Sequence, residues 1–270
     1  MSRIFRGLTI PLLGAVVLGL MAETGTAAVT LPHTQHWNTT SPWVQVYKGS
    51  SLDGSQSGPG SSSTSLRFTY PKGMYNGTAP DKVWVNFTGQ NELWTQYYFK
   101  YSSNFYFHPI DNKQTYWYIY DSSLSTNWYI TCSSNRKMRM VFQRTPGSGS
   151  RYPNTSYNPT IERDVWYQVT TRVILNTGGL SNGIFQMWIN GQLVMSHNDV
   201  PYLVSTDIGK QVGSMAFDPV FGGMAGEYKP ADDYFFVDYT IISTDPLVPS
   251  PPPSTNEVKN PQYPSNITIH

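Results

Sequence analysis

Side chains between Glu92 and Tyr101 alternate in character from one residue to the next. One face is mainly apolar and carries Leu93, Thr95, Tyr97, Phe99 and Tyr101. The other face carries Glu92, Trp94, Gln96, Tyr98 and Lys100. Because successive side chains of a β-strand point to opposite faces of the sheet, this pattern predicts a strand with one face in a core and one toward solvent.

The same two-residue period recurs along much of the chain. Further strands are predicted at Leu66–Tyr70, Lys113–Tyr120, Lys137–Arg144, Trp166–Thr177 and Asp233–Ile242, and the extended segment Ile184–Val194 is predicted to turn at Asn190-Gly191. Asn190-Gly191 marks a hairpin turn, since both residues tolerate a positive φ. Residues 49–65 are rich in Ser and Gly and are predicted to form a flexible loop. With no amphipathic helix of useful length, the pattern predicts an all-β, antiparallel β-sandwich or jelly roll.

The two ends of the chain differ from this central region. Arg3 and Arg6 precede an apolar run from Leu8 to Met21, and Thr26-Ala27-Ala28 offers small residues for cleavage. This layout predicts a secretory signal peptide at 1–28 and an extracellular product; the alternative is an uncleaved N-terminal anchor. One jelly-roll domain is expected at 29–245. The proline-rich segment 246–270 is expected to be extended and unpaired, as a linker or a disordered tail.

Composition restricts the class of partner. The net charge is +1 and only 13% of residues are charged, so no basic stripe for nucleic acid is evident. Aromatic residues reach 14%, with 19 Tyr and 8 Trp, and these serve either as strand and core residues or as platforms that stack on sugar rings. Cys132 is the sole cysteine, which excludes an internal disulfide and favours a buried packing role.

Three stretches carry a family resemblance. They are Glu92-Leu93-Trp94 with the turn ending at Pro109, Asn176-Thr177 with Gly183 and Trp188-Ile189-Asn190-Gly191, and Phe221-Gly222-Gly223 with the strand from Asp232 to Ser243. These stretches resemble the scaffold of the concanavalin A-like jelly rolls. That superfamily includes polysaccharide lyases, glucanases and laminin-G-like sugar binders, so the resemblance implies an extracellular glycan as partner.

The catalytic motifs of that superfamily are not reproduced as written. Glu162-Arg163-Asp164 begins the Glu-x-Asp-x-x-Glu strand of the glucanases, but Tyr167 stands where the final Glu is required. Ordinary glycoside hydrolysis needs two carboxyl groups, so hydrolysis by this route is disfavoured. The alginate-lyase motifs are absent in their usual form, which leaves a divergent lyase or a non-catalytic binder.

The polar strand faces offer the groups that a β-eliminating lyase needs. Tyr98, Lys100, Arg139 and Gln143 are the candidate catalytic residues, and Trp94, Gln168, Arg172, Gln186 and Trp188 are the candidate substrate-binding residues. If all of these strands share one concave sheet, Arg139 is expected to pair with a substrate carboxylate, Tyr98 to transfer a proton and Trp188 to stack on a sugar. The alternative is the ordinary solvated face of an antiparallel sheet.

The sequence thus predicts a secreted polysaccharide lyase that cleaves an anionic, uronate-containing polysaccharide. Two alternatives stay open, a non-catalytic glycan-binding module and a structural surface protein of the same fold. The expected partner is a polysaccharide, with no nucleic acid, no membrane in the mature form, and a monomeric state. No cofactor is expected. His108 is either a catalytic base or a turn residue. Asp232, Asp233 and Asp238 offer oxygen ligands for a structural calcium ion, although a strand-end turn with Asp238 facing solvent is favoured.

Overall fold

A computed structural model describes residues 27–60, 63–119, 126–144, 148–152, 159–223 and 226–250. Nearly all of the predicted signal peptide at 1–28 lies outside these residues, as do residues 251–270 of the predicted tail. Within the described residues, no helix has the length and apolar character needed to cross a membrane.

The described strands, numbered in chain order, form two antiparallel sheets. The eight-stranded sheet runs in the order β13 (Gln192–Val200), β12 (Gly183–Ile189), β11 (Tyr167–Ile174), β6 (Glu92–Tyr101), β15 (Asp233–Ser243), β4 (Ser65–Tyr70) and β3 (Ser50–Asp53), with β1 (His33–Gln35) paired to β15 beside β4. The seven-stranded sheet runs in the order β10 (Ser148–Tyr152), β9 (Met138–Arg144), β8 (Asn127–Ser133), β7 (Asp111–Ile119), β14 (Val212–Phe217), β5 (Val83–Gln90) and β2 (Val44–Gln45). A 3-10 turn spans Ser205–Asp207. This architecture confirms the predicted all-β sandwich.

The inner faces of the two sheets enclose an aromatic core. Phe217 of the seven-stranded sheet contacts Tyr97 of the eight-stranded sheet with ring centroids 5.2 Å apart. Buried tyrosine hydroxyls in this layer have partners: Thr115 donates to the hydroxyl of Tyr97 at 2.9 Å, and Gln114 donates to that of Tyr101 at 2.8 Å. These bonds remove the cost of burying phenol oxygens and tie the two sheets together.

The predicted hairpin at Asn190-Gly191 is confirmed. Asn190 and Gly191 have φ values of +50° and +81°, the left-handed conformation that this dipeptide tolerates. Asn190 also exchanges two hydrogen bonds with Gln168, one through its backbone N–H and one through its side-chain oxygen. The turn therefore fastens β12 to the neighbouring strand β11.

The predictions also contain errors. Strands that were not predicted include Val83–Gln90, Asn127–Ser133, Ser148–Tyr152 and Val212–Phe217. The predicted Ser- and Gly-rich loop contains the strand Ser50–Asp53. The first residues of the predicted unpaired tail are in fact bonded to the sheet, because Gln96 donates to the carbonyl of Val248 and Ser250 donates its N–H to Gln168.

Candidate active site

The outer faces of the two sheets are the two places where polar side chains gather. Seven of the nine predicted site residues lie on the outer face of the eight-stranded sheet, as their alternation predicted: Trp94, Tyr98, Lys100, Gln168, Arg172, Gln186 and Trp188. Gln168 pairs with Tyr98, and Arg172 pairs with Trp94 and Gln186 across the strands. The strand register thus brings these residues into one patch.

Arg139 and Gln143 do not join that patch. Both lie on β9 in the seven-stranded sheet, and their neighbours Met138, Met140 and Phe142 point into the core. The outer faces of a sandwich point in opposite directions with the core between them. The prediction that Tyr98 and Arg139 act in one groove is therefore wrong in its geometry.

The eight-stranded face is largely satisfied by the chain's own groups. Gln168 donates to the hydroxyl of Tyr98 at 3.0 Å and accepts the N–H of Ser250 at 2.9 Å. A Cβ added at Gly60 would come within 2.9 Å of the Tyr98 ring, so the 49–65 segment also lies against this tyrosine. Burial raises the pKa of Tyr98 above its ordinary value, which keeps its proton on at neutral pH.

The remaining predicted residues on that face are engaged with one another. The rings of Trp94 and Trp188 stack at 5.7 Å, and the Arg172 guanidinium lies 5.4 Å from the Trp94 centroid. Arg172 also forms an ion pair with Glu92 at 2.8 Å and donates to Gln186 at 3.3 Å. Lys100 pairs with Asp164 at 3.0 Å.

The outer face of the seven-stranded sheet is different. We call it the tyrosine face and define it by seven side chains: Lys82, Trp84, Lys113, Tyr116, Tyr118, Tyr129 and Asp218. Its central row crosses the strands, because Ala216 pairs with both Trp84 and Tyr116, and Tyr116 pairs with Tyr129. A second row joins Tyr118 to Asn127 and then to Gln143.

Packing fixes the rings of the tyrosine face. Tyr116 stacks on Tyr129 with centroids 4.7 Å apart and on Tyr118 with centroids 5.9 Å apart. The Lys113 ammonium lies 5.0 Å from the Tyr129 centroid, and the Lys82 ammonium lies 4.5 Å from the Tyr118 centroid. Such cation–π contacts hold the lysine heads at the surface of the rings.

Several polar groups of the tyrosine face have no partner in the described part of the chain. The hydroxyls of Tyr116 and Tyr118 form no hydrogen bond there, and neither lysine ammonium forms an ion pair. Burial raises the pKa of both tyrosines well above the ordinary value, so both hydroxyls keep their protons at neutral pH. Burial also lowers the pKa of both lysines, while the Asp218 carboxyl acts in the opposite direction.

Asp218 is the most perturbed carboxyl of this face. It follows β14 directly, and because Phe217 pairs with Val83, it lies beside Lys82 at the end of β5. Burial raises its pKa from 3.8 to about 6, against the opposing attraction of Lys82 and Lys113. A carboxyl with a pKa near the working pH, flanked by cations, is typical of a catalytic group.

Arg139 and Gln143 lie at the far side of the same face. Lys113 pairs with Thr131, which pairs with Arg139, so a basic row borders the tyrosines. Arg139 forms an ion pair with Asp111, which also accepts a hydrogen bond from Thr131 at 3.3 Å. Part of the Arg139 guanidinium is therefore already committed within the chain.

The other residues singled out from the sequence have structural roles. His108 is buried, its Nδ1 accepts the N–H of Ile110 at 3.1 Å, and burial lowers its pKa. Cys132 is buried in the core, and burial raises its pKa, as its expected packing role requires.

The three aspartates considered for calcium do not converge. Asp233 pairs with Lys229 at 2.8 Å, and Asp232 accepts the N–H of Lys72 at 2.7 Å. Asp238 is fully buried, so the prediction that it faces solvent is wrong. In the described ranges, no group of three or more His, Cys, Asp or Glu side chains is placed to hold a metal ion.

The residues of the tyrosine face were missed for identifiable reasons. A β-bulge between Lys113 and Tyr116 breaks the alternation of β7, so the sequence pattern does not place Lys113 with the tyrosines. Lys82 and Asp218 each lie just outside a strand that was not predicted. The alternation of Tyr116 and Tyr118 with Trp117 and Ile119 was the one available signal.

A family model matches the central part of the chain. The family model described as polysaccharide lyase 14 matches residues 116–239, a range that holds Tyr116, Tyr118, Tyr129 and Asp218 but not the two lysines. No curated protein matches the sequence. The family match supports a polysaccharide lyase.

Solved structures show the same fold at low identity. An alginate lyase from a Chlorella virus superposes with a TM-score of 0.59 at 14% identity, covering 74% of this chain and 90% of that one. A marine family-14 alginate lyase from Aplysia kurodai gives 0.58 at 16% identity, with 76% and 92% coverage. An endo-β-1,4-glucuronan lyase from the fungus Trichoderma reesei gives 0.58 at 13% identity, with 79% and 95% coverage. The predicted jelly-roll resemblance is confirmed.

Proposed function

We propose that this protein is a secreted polysaccharide lyase that cleaves a uronate-containing polysaccharide by β-elimination on the tyrosine face. The observation that carries the proposal is the cluster of Lys82, Lys113 and Asp218 beside the hydroxyls of Tyr116 and Tyr118, which form no hydrogen bond in the described residues. The family match and the lyases of the same fold support the reaction class. The start of the sequence, with its predicted signal peptide, supports secretion.

The reaction needs three groups. A cation must neutralise the uronate carboxylate so that the proton on C5 becomes acidic, and a base must then remove that proton. The electron pair forms the C4–C5 double bond, the bond from C4 to the glycosidic oxygen breaks, and an acid gives a proton to the leaving oxygen. No oxidant, reductant or water enters the balance.

The tyrosine face supplies each group. Lys113, with Lys82 beside it, attracts the substrate carboxylate, since neither ammonium has an ion pair in the described residues. Asp218 is the base, because a pKa of about 6 leaves it ionised at neutral pH yet basic enough to accept a proton. Tyr116 is the acid, because its hydroxyl carries a proton at neutral pH and has no hydrogen-bond partner in the described residues.

Neighbouring residues are proposed to hold the polymer. Arg139 and Gln143 border the face on one side and are proposed to bind adjacent sugar units. Tyr47 stands on the opposite side, just after β2, with its side chain 61% exposed. Its backbone N–H donates to Asp81 at 2.8 Å, and Asp81 also fixes Val46, Ser50 and Lys82, so the ring rises from a rigid base. An exposed aromatic on a rigid base suits sugar stacking.

The decisive test is product chemistry. Alginate and glucuronan are incubated with the protein, and a neutral β-glucan serves as the control polymer. A lyase produces an unsaturated uronate that absorbs in the near ultraviolet, and the fragment masses sum to that of the polymer with no water added. Fragments that carry added water would indicate a hydrolase. Polymer that is retained but unchanged would indicate the non-catalytic glycan-binding module.

A further inference from the structure

A second polar cavity lies on the opposite side of the sandwich. Its volume is about 350 Å³, and it opens on the outer face of the eight-stranded sheet, between β4, β15 and the turn that follows β6. Phe236 forms its floor and pairs with Arg67 on one side and Lys100 on the other. We call it the Phe236 pocket. The core separates it from the tyrosine face.

Two ion pairs fix the walls of the Phe236 pocket. Arg67 pairs with Asp53 at 2.9 Å, and Lys100 pairs with Asp164 at 3.0 Å. Lys100 is further held by Gln56, which accepts a hydrogen bond at 2.5 Å. The four formal charges cancel, so the pocket presents fixed donors and acceptors without a net field. Such a wall favours hydroxyl groups, which both donate and accept, over an isolated anion.

The floor and rim of the pocket complete a carbohydrate-like lining. The rings of Tyr234 and Phe236 lie 6.1 Å apart, and the Arg67 guanidinium is 5.3 Å from the Tyr234 centroid. Ser103 and Asn104 are exposed at the rim. The lining is thus mainly polar, with two aromatic rings among its side chains. Hydroxyl groups suit such a lining, and the cavity lies within the common range of about 300–1,000 Å³ for ligand sites.

We propose that the Phe236 pocket is a second, non-catalytic binding site for a hydroxyl-rich pyranose unit of the polysaccharide. The identity of that polymer rests on the proposed function. Because the pocket and the tyrosine face point away from each other, one site can hold the polymer while the other acts. A second attachment raises the effective concentration of polymer at the catalytic face without any new catalytic contact.

The test uses two variants with different physical effects. Ser103→Trp fills the mouth of the pocket from an exposed position, and Tyr234→Ala removes part of the aromatic lining. Tyr228→Ala is the matched control, since Tyr228 is an exposed tyrosine outside the pocket. Each protein is run in gels that contain alginate, glucuronan or neutral β-glucan, and turnover is measured on a uronate tetrasaccharide and on the polymer.

The expected result is weaker retardation for both pocket variants, with several-fold higher KM on the polymer and unchanged turnover of the tetrasaccharide. Unchanged retardation in both variants would overturn the second site. Loss of tetrasaccharide turnover in both would overturn the separation between pocket and catalysis. If no polymer is cleaved, the gels still report binding, so failure of the lyase proposal is distinguishable from failure of the pocket.

Discussion

The outer faces of the two sheets both carry aromatic and charged side chains, but they differ in how many of their polar groups are paired within the chain. On the eight-stranded face, Tyr98 is bonded to Gln168 and Arg172 is paired with Glu92. On the tyrosine face, the hydroxyl of Tyr116 and the ammonium of Lys113 have no such partner in the described residues. Polar groups that lie on a packed aromatic surface without a partner in the described residues are available to hydrogen-bond a ligand.

This difference shows what alternation in a sequence measures. Alternation indicates which side chains point away from the core, and the strands of both sheets show it. Function depends on whether the partner of each polar group lies within the chain or in a ligand. The following predictions test the contrast between the two faces, from the largest expected effect to the smallest.

Tyr116→Phe should lower turnover by ~10²-fold or more, because it removes the proposed acid and keeps the packed ring. The measurement is the rate of ultraviolet absorbance on a uronate polymer. Tyr98→Phe is the matched control on the other face and should keep turnover within about threefold of the parent protein. A larger loss of turnover in Tyr98→Phe than in Tyr116→Phe would place the catalytic site on the eight-stranded sheet.

Asp218→Asn should lower turnover by ~10²-fold, because it removes the proposed base, and should also stabilise the fold at pH 8. A folded-state pKa raised from 3.8 to about 6 means that Asp218 favours the fold most at low pH, and this contribution is lost as the pH rises through about 6. The shift corresponds to at most about 3 kcal/mol, which the neutral Asn recovers. Urea unfolding at pH 5 and pH 8 measures the effect, and the exposed Asp199→Asn is the control. A less stable variant at pH 8 would contradict the raised pKa.

Activity should rise with pH through about 6, because the proposed base must lose its proton. Lys82→Met removes a cation that favours the ionised carboxyl, so the midpoint of the rise should move to higher pH. The pH profile of kcat/KM measures this directly. If the midpoint of the pH profile does not change in Lys82→Met, Asp218 is not the group whose titration controls activity.

Arg172→Gln should have the smallest effect. Its ion pair with Glu92 is partly exposed, with side-chain exposures of 30% and 40%, and exposed pairs contribute about 0.2–1 kcal/mol. Turnover should be unchanged, and the free energy of unfolding should fall by no more than that amount. A large loss of turnover in Arg172→Gln would instead indicate that the substrate binds on the eight-stranded sheet, at the Trp94 and Trp188 stack.

The sequence predicted the fold well and the candidate site only in part. The strand Glu92–Tyr101 was predicted with its observed limits, because its alternation is unbroken and one face is mainly apolar or aromatic. The turn at Asn190-Gly191 was equally clear from its backbone requirements. Both signals are local, so one sequence is enough to read them.

Which strands share a sheet is a long-range property, and there the prediction failed. Arg139 and Tyr98 have equivalent alternation patterns, yet β9 and β6 belong to different sheets. Several strands of the seven-stranded sheet were also missed, among them Val83–Gln90 and Val212–Phe217. The bulge after Lys113 shifts the alternation, so the sequence pattern did not show that Lys113 lies beside Tyr129. Local periodicity carries no information on pairing partners, so the site could not be assembled from it.

The labelling rate of the Cys132 thiol can measure how often the domain opens. Cys132 lies on β8 with no solvent exposure, on the inner side of the strand whose other side carries Tyr129. A thiol-specific label can reach it only when β8 separates from the core, and no second cysteine contributes background. The labelling rate in the native protein therefore reports how often the support of the tyrosine face comes apart, and a bound glycan that holds the sheet together should slow that rate.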